Sequence, residues 1–209
     1  KPYPKGVVLI ISPWNMPVCL MGKPLVSAIA AGNAVVIKPS EIAASVSAVY
    51  SRLVPQYLDS DYVACVEAGP EETSLLLQQK FDHIFYTGST NVGKIVMRAA
   101  AEHLSSVTLE LGGKCPCIID QSVMKDDHLI QMAAERIFWG KMALCGQACL
   151  GVDYCLIEAQ YADVFIHKFK SCIEEFLGKT LEDRKKNPDY SRIINERHMK
   201  RISNLLDPV

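Results

Sequence analysis

The sequence has little of several features that would point at once to a class of function. No apolar run reaches the roughly 20 residues that a membrane-spanning helix needs, and the first residues lack the apolar region of a signal peptide. The 22 Lys and Arg nearly balance the 23 Asp and Glu and are spread along the chain, so no patch for nucleic acid or an anionic membrane is expected. We therefore expect a soluble, cytoplasmic protein whose partner is a small molecule.

Metal-binding and disulfide patterns are also lacking. The eight cysteines lie mostly in apolar segments, with no paired CxxC and no neighbouring HxxxH, which favours reduced thiols and argues against zinc. No metal site is predicted, although Cys145, Cys149 and Cys155, or Cys115 and Cys117, are the sets that could in principle bind zinc. With 49% hydrophobic residues in 209, the chain can form a substantial core.

Strand-length apolar runs alternate with helix-length segments in the first half of the chain. The predicted strands are 7–11, 34–37, 63–67, 83–86 and 107–111, and the predicted helices are 17–31, 42–57, 71–79 and 90–103. This alternation predicts parallel βαβ units and therefore an α/β fold with a Rossmann-like, doubly wound parallel sheet.

The pattern changes after Gly112 and Gly113, where we place a domain boundary that gives domains 1–111 and 112–209. The second domain is predicted to contain strands 116–120 and 154–157, helices 126–143, 162–177 and 195–206, and a solvated loop at 179–189. We interpret both domains as truncated parts of a longer protein.

Ligands gather at the carboxyl ends of strands in such a sheet, so the residues after each strand are the first candidates. Asn15, next to Trp14, follows the first strand and has an amide that could donate to an oxyanion or cap the following helix. Lys38 and Glu41 follow the second strand and could bind the two hydroxyls of a ribose, or form a surface ion pair.

The segment after the fourth strand has the spacing of a phosphate-binding loop, because Gly88 is followed after four residues by Gly93 and Lys94. The next residue is Ile95, which has no hydroxyl for Mg²⁺, so a nucleoside triphosphatase is disfavoured. A glycine turn that enters a helix still offers N–H groups to a dinucleotide diphosphate, and Gly88 and Ser89 are predicted to lie there.

Two residues suit covalent chemistry. Glu110 ends the fifth strand, where partial burial would favour a general base, although a helix cap or an ion pair would explain it equally. Cys149 follows small residues whose N–H groups could stabilise an oxyanion, whereas most of the other cysteines suit packing. No histidine forms an evident dyad with Cys149.

Taken in order, five motifs resemble the aldehyde dehydrogenase superfamily. They are Pro13-Trp14-Asn15, Lys38-Pro39-Ser40-Glu41, Gly88-Ser89 with Val92-Gly93, Glu110-Leu111-Gly112-Gly113-Lys114, and Gly146-Gln147-Ala148-Cys149. Segments 54–57, 81–86 and 152–154 are most similar to the class 3 and fatty-aldehyde branch.

The resemblance implies an oxidoreductase that converts an aldehyde to a carboxylic acid with NAD, and also with NADP. It implies a medium- or long-chain aliphatic or an aromatic aldehyde, and a homodimer for the whole protein. Cys149 would be the nucleophile, Glu110 the base that activates water, and Asn15 an oxyanion donor. The implied cofactor-binding residues are Trp14, Lys38, Glu41, Gly88, Ser89, Val92, Leu111 and Gly112.

The sequence departs from the family pattern at Leu144-Cys145 and at Cys115, so two other hypotheses stay open. One is a truncated or degenerate relative that binds nucleotide without turnover, and the other is a thiol hydrolase that uses Cys149 without a cofactor. Cys145 is interpreted as a packing residue, with a reversible disulfide to Cys149 as the alternative. Membrane association through a further C-terminal segment is left open.

Overall fold

The structure is a computed structural model that describes residues 3–206. Its contacts divide the chain into two compact units, one that ends at Gly112 and one that begins at Gly113. The first unit contains a five-stranded sheet, and the second contains a two-stranded sheet.

The sheet of the first unit is parallel throughout, which confirms the predicted Rossmann-like class. Its strands are β1 Val7–Ile11, β2 Ala34–Lys38, β3 Val63–Cys65, β4 His83–Thr87 and β5 Ser106–Glu110. They lie in the order β3-β2-β1-β4-β5. The predicted third strand was two residues too long, because pairing with β2 ends at Cys65.

Both faces of this sheet are buried. Val8 and Ile10 of β1 belong to one apolar cluster, whereas Leu9 and Ile11 belong to another, as the alternation of side chains along a strand requires. The helices are α1 Pro17–Ala30, α2 Ala44–Tyr57, α3 Pro70–Leu76 and α4 Thr90–Ala101. The first cluster includes residues of α1 and α2 and the second includes residues of α4, so the sheet is doubly wound.

The strand order places a reversal of winding between β1 and β4. The chain adds β2 and β3 on one side of β1, and then adds β4 and β5 on the other side. In open parallel sheets such a reversal opens a crevice at the carboxyl ends of the two central strands, and ligands bind there. The residues that follow β1 and β4 therefore occupy the favoured position for a ligand.

The second unit pairs two parallel strands, β6 Cys115–Ile119 and β7 Val152–Ile157. The long helices α5 Asp127–Met142 and α6 Ala162–Leu177 contribute most of its core, and the buried Phe138 stacks on the half-exposed Phe176 with ring centroids 5.3 Å apart. The chain ends, within the described residues, with α8 Glu196–Leu206.

The loop predicted at 179–189 is wrong in part, because helix α7 spans Leu181–Lys186. Thr180 and Asp183 form a reciprocal capping box at its first turn, which satisfies N–H groups that the short helix would otherwise expose. Among the helices of residues 3–206, none has the length and apolar character needed to cross a membrane.

Candidate active site

The loop after β1 places Trp14 and Asn15 beside the winding reversal. Both side chains are half-buried, and the Asn15 Oδ1 atom is itself buried. Met16 occupies the N-cap position of α1 and Pro17 the first helical position, so Asn15 lies one residue before the cap. The Ser12 N–H donates to the Lys38 carbonyl at 3.1 Å, which ties this loop to the end of β2.

Lys38 and Glu41 form an ion pair after β2, with 2.8 Å between Nζ and Oε2. The lysine side chain is only 6% exposed, whereas the glutamate side chain is 40% exposed, so the pair is not an ordinary surface pair. Ser40 caps the short 3-10 turn Glu41–Ala43 by accepting from the Ile42 N–H. A cation and an accessible carboxylate are thus presented together at the carboxyl edge of the sheet.

A further carboxylate, which the sequence analysis missed, lies at the same edge. Glu67 follows β3, and its Oε1 accepts a hydrogen bond of 2.9 Å from the Ser47 hydroxyl of α2. Burial, reinforced by the negative charge of Glu67, raises the pKa of Cys65 to about 11. The position of Glu67 directly after a strand was the signal that could have identified it.

The turn after β4 is held by Tyr86 and Ser89. The Ser89 hydroxyl caps α4 by accepting from the Val92 N–H at 3.4 Å, and the Tyr86 hydroxyl donates to the Ser89 carbonyl at 3.3 Å. A Cβ atom at Gly88 would collide with the Tyr86 ring, so glycine is required by packing as well as by any approaching ligand. Val92 is exposed in the first turn of α4.

The end of β5 carries Glu110, Leu111 and Gly112. The Glu110 carbonyl accepts from the Gly88 N–H at 3.0 Å, which joins the two strand ends. Its side chain is exposed, so the expected partial burial was wrong: it is the last residue of β5 and lies outside the apolar clusters. Leu111 packs closely on α4, because a Cβ atom at Gly93 would lie 3.0 Å from Leu111 Cδ2.

The sequence-predicted residues of the first unit therefore meet at one edge of one sheet. A buried cation with a partly exposed carboxylate suits ribose hydroxyls, and a glycine turn at a helix N-terminus suits a diphosphate. Groups of this kind could hold a dinucleotide.

Comparison with known proteins gives the family. Residues 1–208 match the model described as "Aldehyde dehydrogenase family". The chain belongs to the aldehyde dehydrogenase family.

Individual aldehyde dehydrogenases agree with this assignment. The chain is 52% identical over 207 residues to "Aldehyde dehydrogenase family 3 member A2" of Macaca fascicularis, covering 99% of the chain and 41% of that protein. It is 50% identical over 204 residues to "Aldehyde dehydrogenase, dimeric NADP-preferring" of Mus musculus, covering 98% of the chain and 43% of that protein. The solved structure "Substrate bound state of Staphylococcus Aureus AldH" is 43% identical, with a TM-score of 0.85 over 98% of the chain and 43% of that structure.

The match to the class 3 branch confirms the resemblance inferred from the motifs. The chain spans about two fifths of the length of these relatives.

In this aldehyde dehydrogenase chain, Cys149 lies in the second unit, between α5 and β7. Its side chain is half-buried, and its carbonyl accepts a weak hydrogen bond of 3.5 Å from the Cys115 thiol. Three successive residues before it, Leu144, Cys145 and Gly146, have φ values of 55°, 56° and 73°. Left-handed backbone costs roughly 1–3 kcal/mol at each non-glycine residue, so the surrounding structure must hold this turn.

The groups that hold the turn were not found from the sequence. The Gln147 amide bonds to Arg192 and Ile194, some 45 positions further along the chain, and Cys145 lines the same cavity as Tyr190. Among residues 3–206 no group of three or more His, Cys, Asp or Glu side chains could hold a metal ion.

Proposed function

We propose that the protein containing this chain oxidises an aldehyde to a carboxylic acid with NAD⁺ or NADP⁺. The observation that carries the proposal is the family match along the whole chain, combined with a sheet edge suited to a dinucleotide and a cysteine on a strained turn. The first unit would then be the cofactor-binding domain, and the second would be the nucleophile-bearing part of the catalytic domain.

In the proposed reaction, the Cys149 thiolate attacks the aldehyde carbon and forms a thiohemiacetal. The Asn15 side-chain amide and the Cys149 N–H stabilise the oxyanion. When bound, the oxidised nicotinamide supplies the hydride acceptor. Loss of hydride from the thiohemiacetal leaves a thioester on Cys149.

Hydrolysis completes the cycle. Glu110 takes a proton from water, the hydroxide attacks the thioester, and the acid leaves as the Cys149 thiolate is restored. An exposed carboxylate is open to water and can return its proton to solvent. We propose a medium- or long-chain aliphatic or an aromatic aldehyde as the substrate, as the resemblance of the motifs to the class 3 and fatty-aldehyde branch implies. The mouse relative described as dimeric supports a homodimer.

The test uses the product of the complete reading frame that contains this sequence. Reduction of NAD⁺ with a medium-chain aldehyde would be followed by absorbance for wild type, Cys149→Ser, Glu110→Gln and Asn15→Ala. We expect each variant to lose at least about a hundredfold in kcat. Cys19→Ser and Glu102→Gln, which alter exposed groups on α1 and after α4, serve as matched controls and should retain activity.

Two outcomes contradict the proposal. A wild-type protein that binds NAD⁺ but never reduces it would be a nucleotide-binding relative without turnover. Esterase activity that needs no cofactor, survives Lys38→Ala and Glu41→Ala, and occurs without any reduction of NAD⁺ would instead identify a thiol hydrolase.

A further inference from the structure

The residues that precede Cys149 form a turn that the second unit holds from a distance. We name residues 143–149 the nucleophile turn and residues 190–194 the strap. Left-handed backbone at Leu144 and Cys145 is not what these side chains prefer, so the turn depends on contacts outside itself.

Gln147 makes the principal contact between the two segments. Its Nε2 donates to the Leu144 carbonyl at 2.8 Å within the turn and to the Arg192 carbonyl at 3.0 Å in the strap. Its Oε1 accepts from the Ile194 N–H at 2.9 Å. One side-chain amide therefore fixes the carbonyl of a left-handed residue and two backbone groups of the strap.

A second contact lies at Cys145. Cys145 and Tyr190 line the same cavity, and the interaction with the Cys145 thiol, together with burial, raises the pKa of Tyr190 to about 12. The contact explains the residue for which the sequence offered only packing or a disulfide with Cys149.

The strap is itself anchored. The Arg192 guanidinium donates to the Lys185 carbonyl at 2.6 Å, at the end of α7, and also to the Tyr190 carbonyl. It lies over the Tyr190 ring, with Cζ 5.5 Å from the centroid. The turn is thus connected through the strap to a helix that the family motifs do not include.

We infer that Gln147 and Tyr190 are positioning residues, which hold the nucleophile turn in the backbone conformation that orients the Cys149 thiol and N–H. This inference rests on the proposed function. It assigns neither residue a contact with the substrate. Their effect is on the orientation of Cys149, so it should appear in kcat more than in the KM for NAD⁺.

The test has two readouts, measured on the product of the complete reading frame. The first is amide hydrogen exchange of residues 143–149, which needs no turnover, and the second is kcat with the KM for NAD⁺. For Gln147→Ala we expect faster exchange in the turn with unchanged exchange in α5 and α6, and a kcat lowered about ten- to a hundredfold with little change in KM. Gln147→Asn, which keeps a shorter amide, guards against a variant that fails to fold and should show the same effects more weakly.

Matched variants separate positioning from general packing. Gln160→Ala removes an exposed glutamine whose side-chain amide donates to the nearby Glu158 carboxylate, far from the strap, and should change neither readout. Cys145→Ser keeps a small polar group in the cavity that Tyr190 lines and should retain most of kcat, whereas Cys145→Val and Tyr190→Phe should both lower it.

Three results would overturn the inference: unchanged exchange in Gln147→Ala, unchanged kcat in a folded Gln147→Ala, or a parallel fall in Tm and in affinity for NAD⁺. If wild type lacks dehydrogenase activity, the proposed function fails and the positioning of a nucleophile fails with it. Faster exchange in Gln147→Ala would then show only that the strap holds the turn.

Discussion

Replacing Glu41 by glutamine should shift the cofactor preference of the proposed dehydrogenase from NAD⁺ toward NADP⁺. Glu41 pairs with Lys38 at 2.8 Å, yet its side chain is 40% exposed and can face a ribose. NADP⁺ carries a phosphate on the 2′ oxygen of that ribose, so the Glu41 carboxylate would repel it. Glutamine keeps an oxygen that can accept from Lys38 but removes the negative charge.

The magnitude follows from the exposure of the pair. Two unit charges 4 Å apart in water interact by roughly 1 kcal/mol. A phosphate monoester carries about 1.5–2 negative charges, so the repulsion removed is about 1.5–2 kcal/mol. At 1.4 kcal/mol for each factor of ten, kcat/KM for NADP⁺ relative to NAD⁺ should rise about ten- to thirtyfold.

The assay compares kcat/KM for both cofactors at a fixed, saturating aldehyde concentration and at two ionic strengths. Added salt should reduce the wild-type discrimination and leave Glu41→Gln less affected, because the variant lacks the screened charge. Glu102→Gln, which neutralises an exposed carboxylate at the end of α4, is the control. An unchanged or lowered ratio in Glu41→Gln would refute the placement of this carboxylate beside the ribose.

Two further outcomes are expected. Gly93→Ala should lower the free energy of unfolding by about 0–2 kcal/mol, measured by urea denaturation, because overpacking against Leu111 costs about 1–3 kcal/mol and the gain in helix propensity within α4 returns about 1 kcal/mol. Gly113→Ala, whose methyl group would meet its nearest neighbour at an ordinary 3.8 Å, should be near neutral, and equal losses would contradict the packing argument. Alkylation at neutral pH should modify Cys65 far more slowly than the exposed Cys19. Only the thiolate reacts, so the alkylation rate of Cys65 should rise as the pH approaches the raised pKa of Cys65, about 11. Peptide mass spectrometry would measure both rates, and similar rates at neutral pH would contradict the burial of Cys65.

Local sequence patterns were sufficient to predict most of the strands and helices. The first strand and helix α6 have the predicted bounds, because each is a periodic apolar segment between clear breakers. Helix α7 was missed because its charged residues have no apolar period. Its Thr180 and Asp183 capping pair was the available signal.

Local motifs predicted only part of the candidate site. The edge residues Lys38, Glu41, Gly88 and Ser89 follow from strand ends, which neighbouring residues define. The exposure of Glu110 depends on where the helices that cover the sheet end, which the residues near Glu110 do not specify. The bonds from Gln147 to the strap join residues 45 and 47 positions apart. No spacing rule within a segment contains such information.

The burial of Lys38 has a consequence for the thermodynamics of binding. A flexible lysine normally loses rotamer freedom when a ligand orders it, at a cost of about 0.5–1.5 kcal/mol per side chain. Here the end of β2 and the Glu41 carboxylate already confine the ammonium group, so that entropy is lost during folding instead of during association. The proposed ribose contact should therefore form with a smaller unfavourable entropy than a lysine on an open loop would impose, a difference that calorimetry could measure.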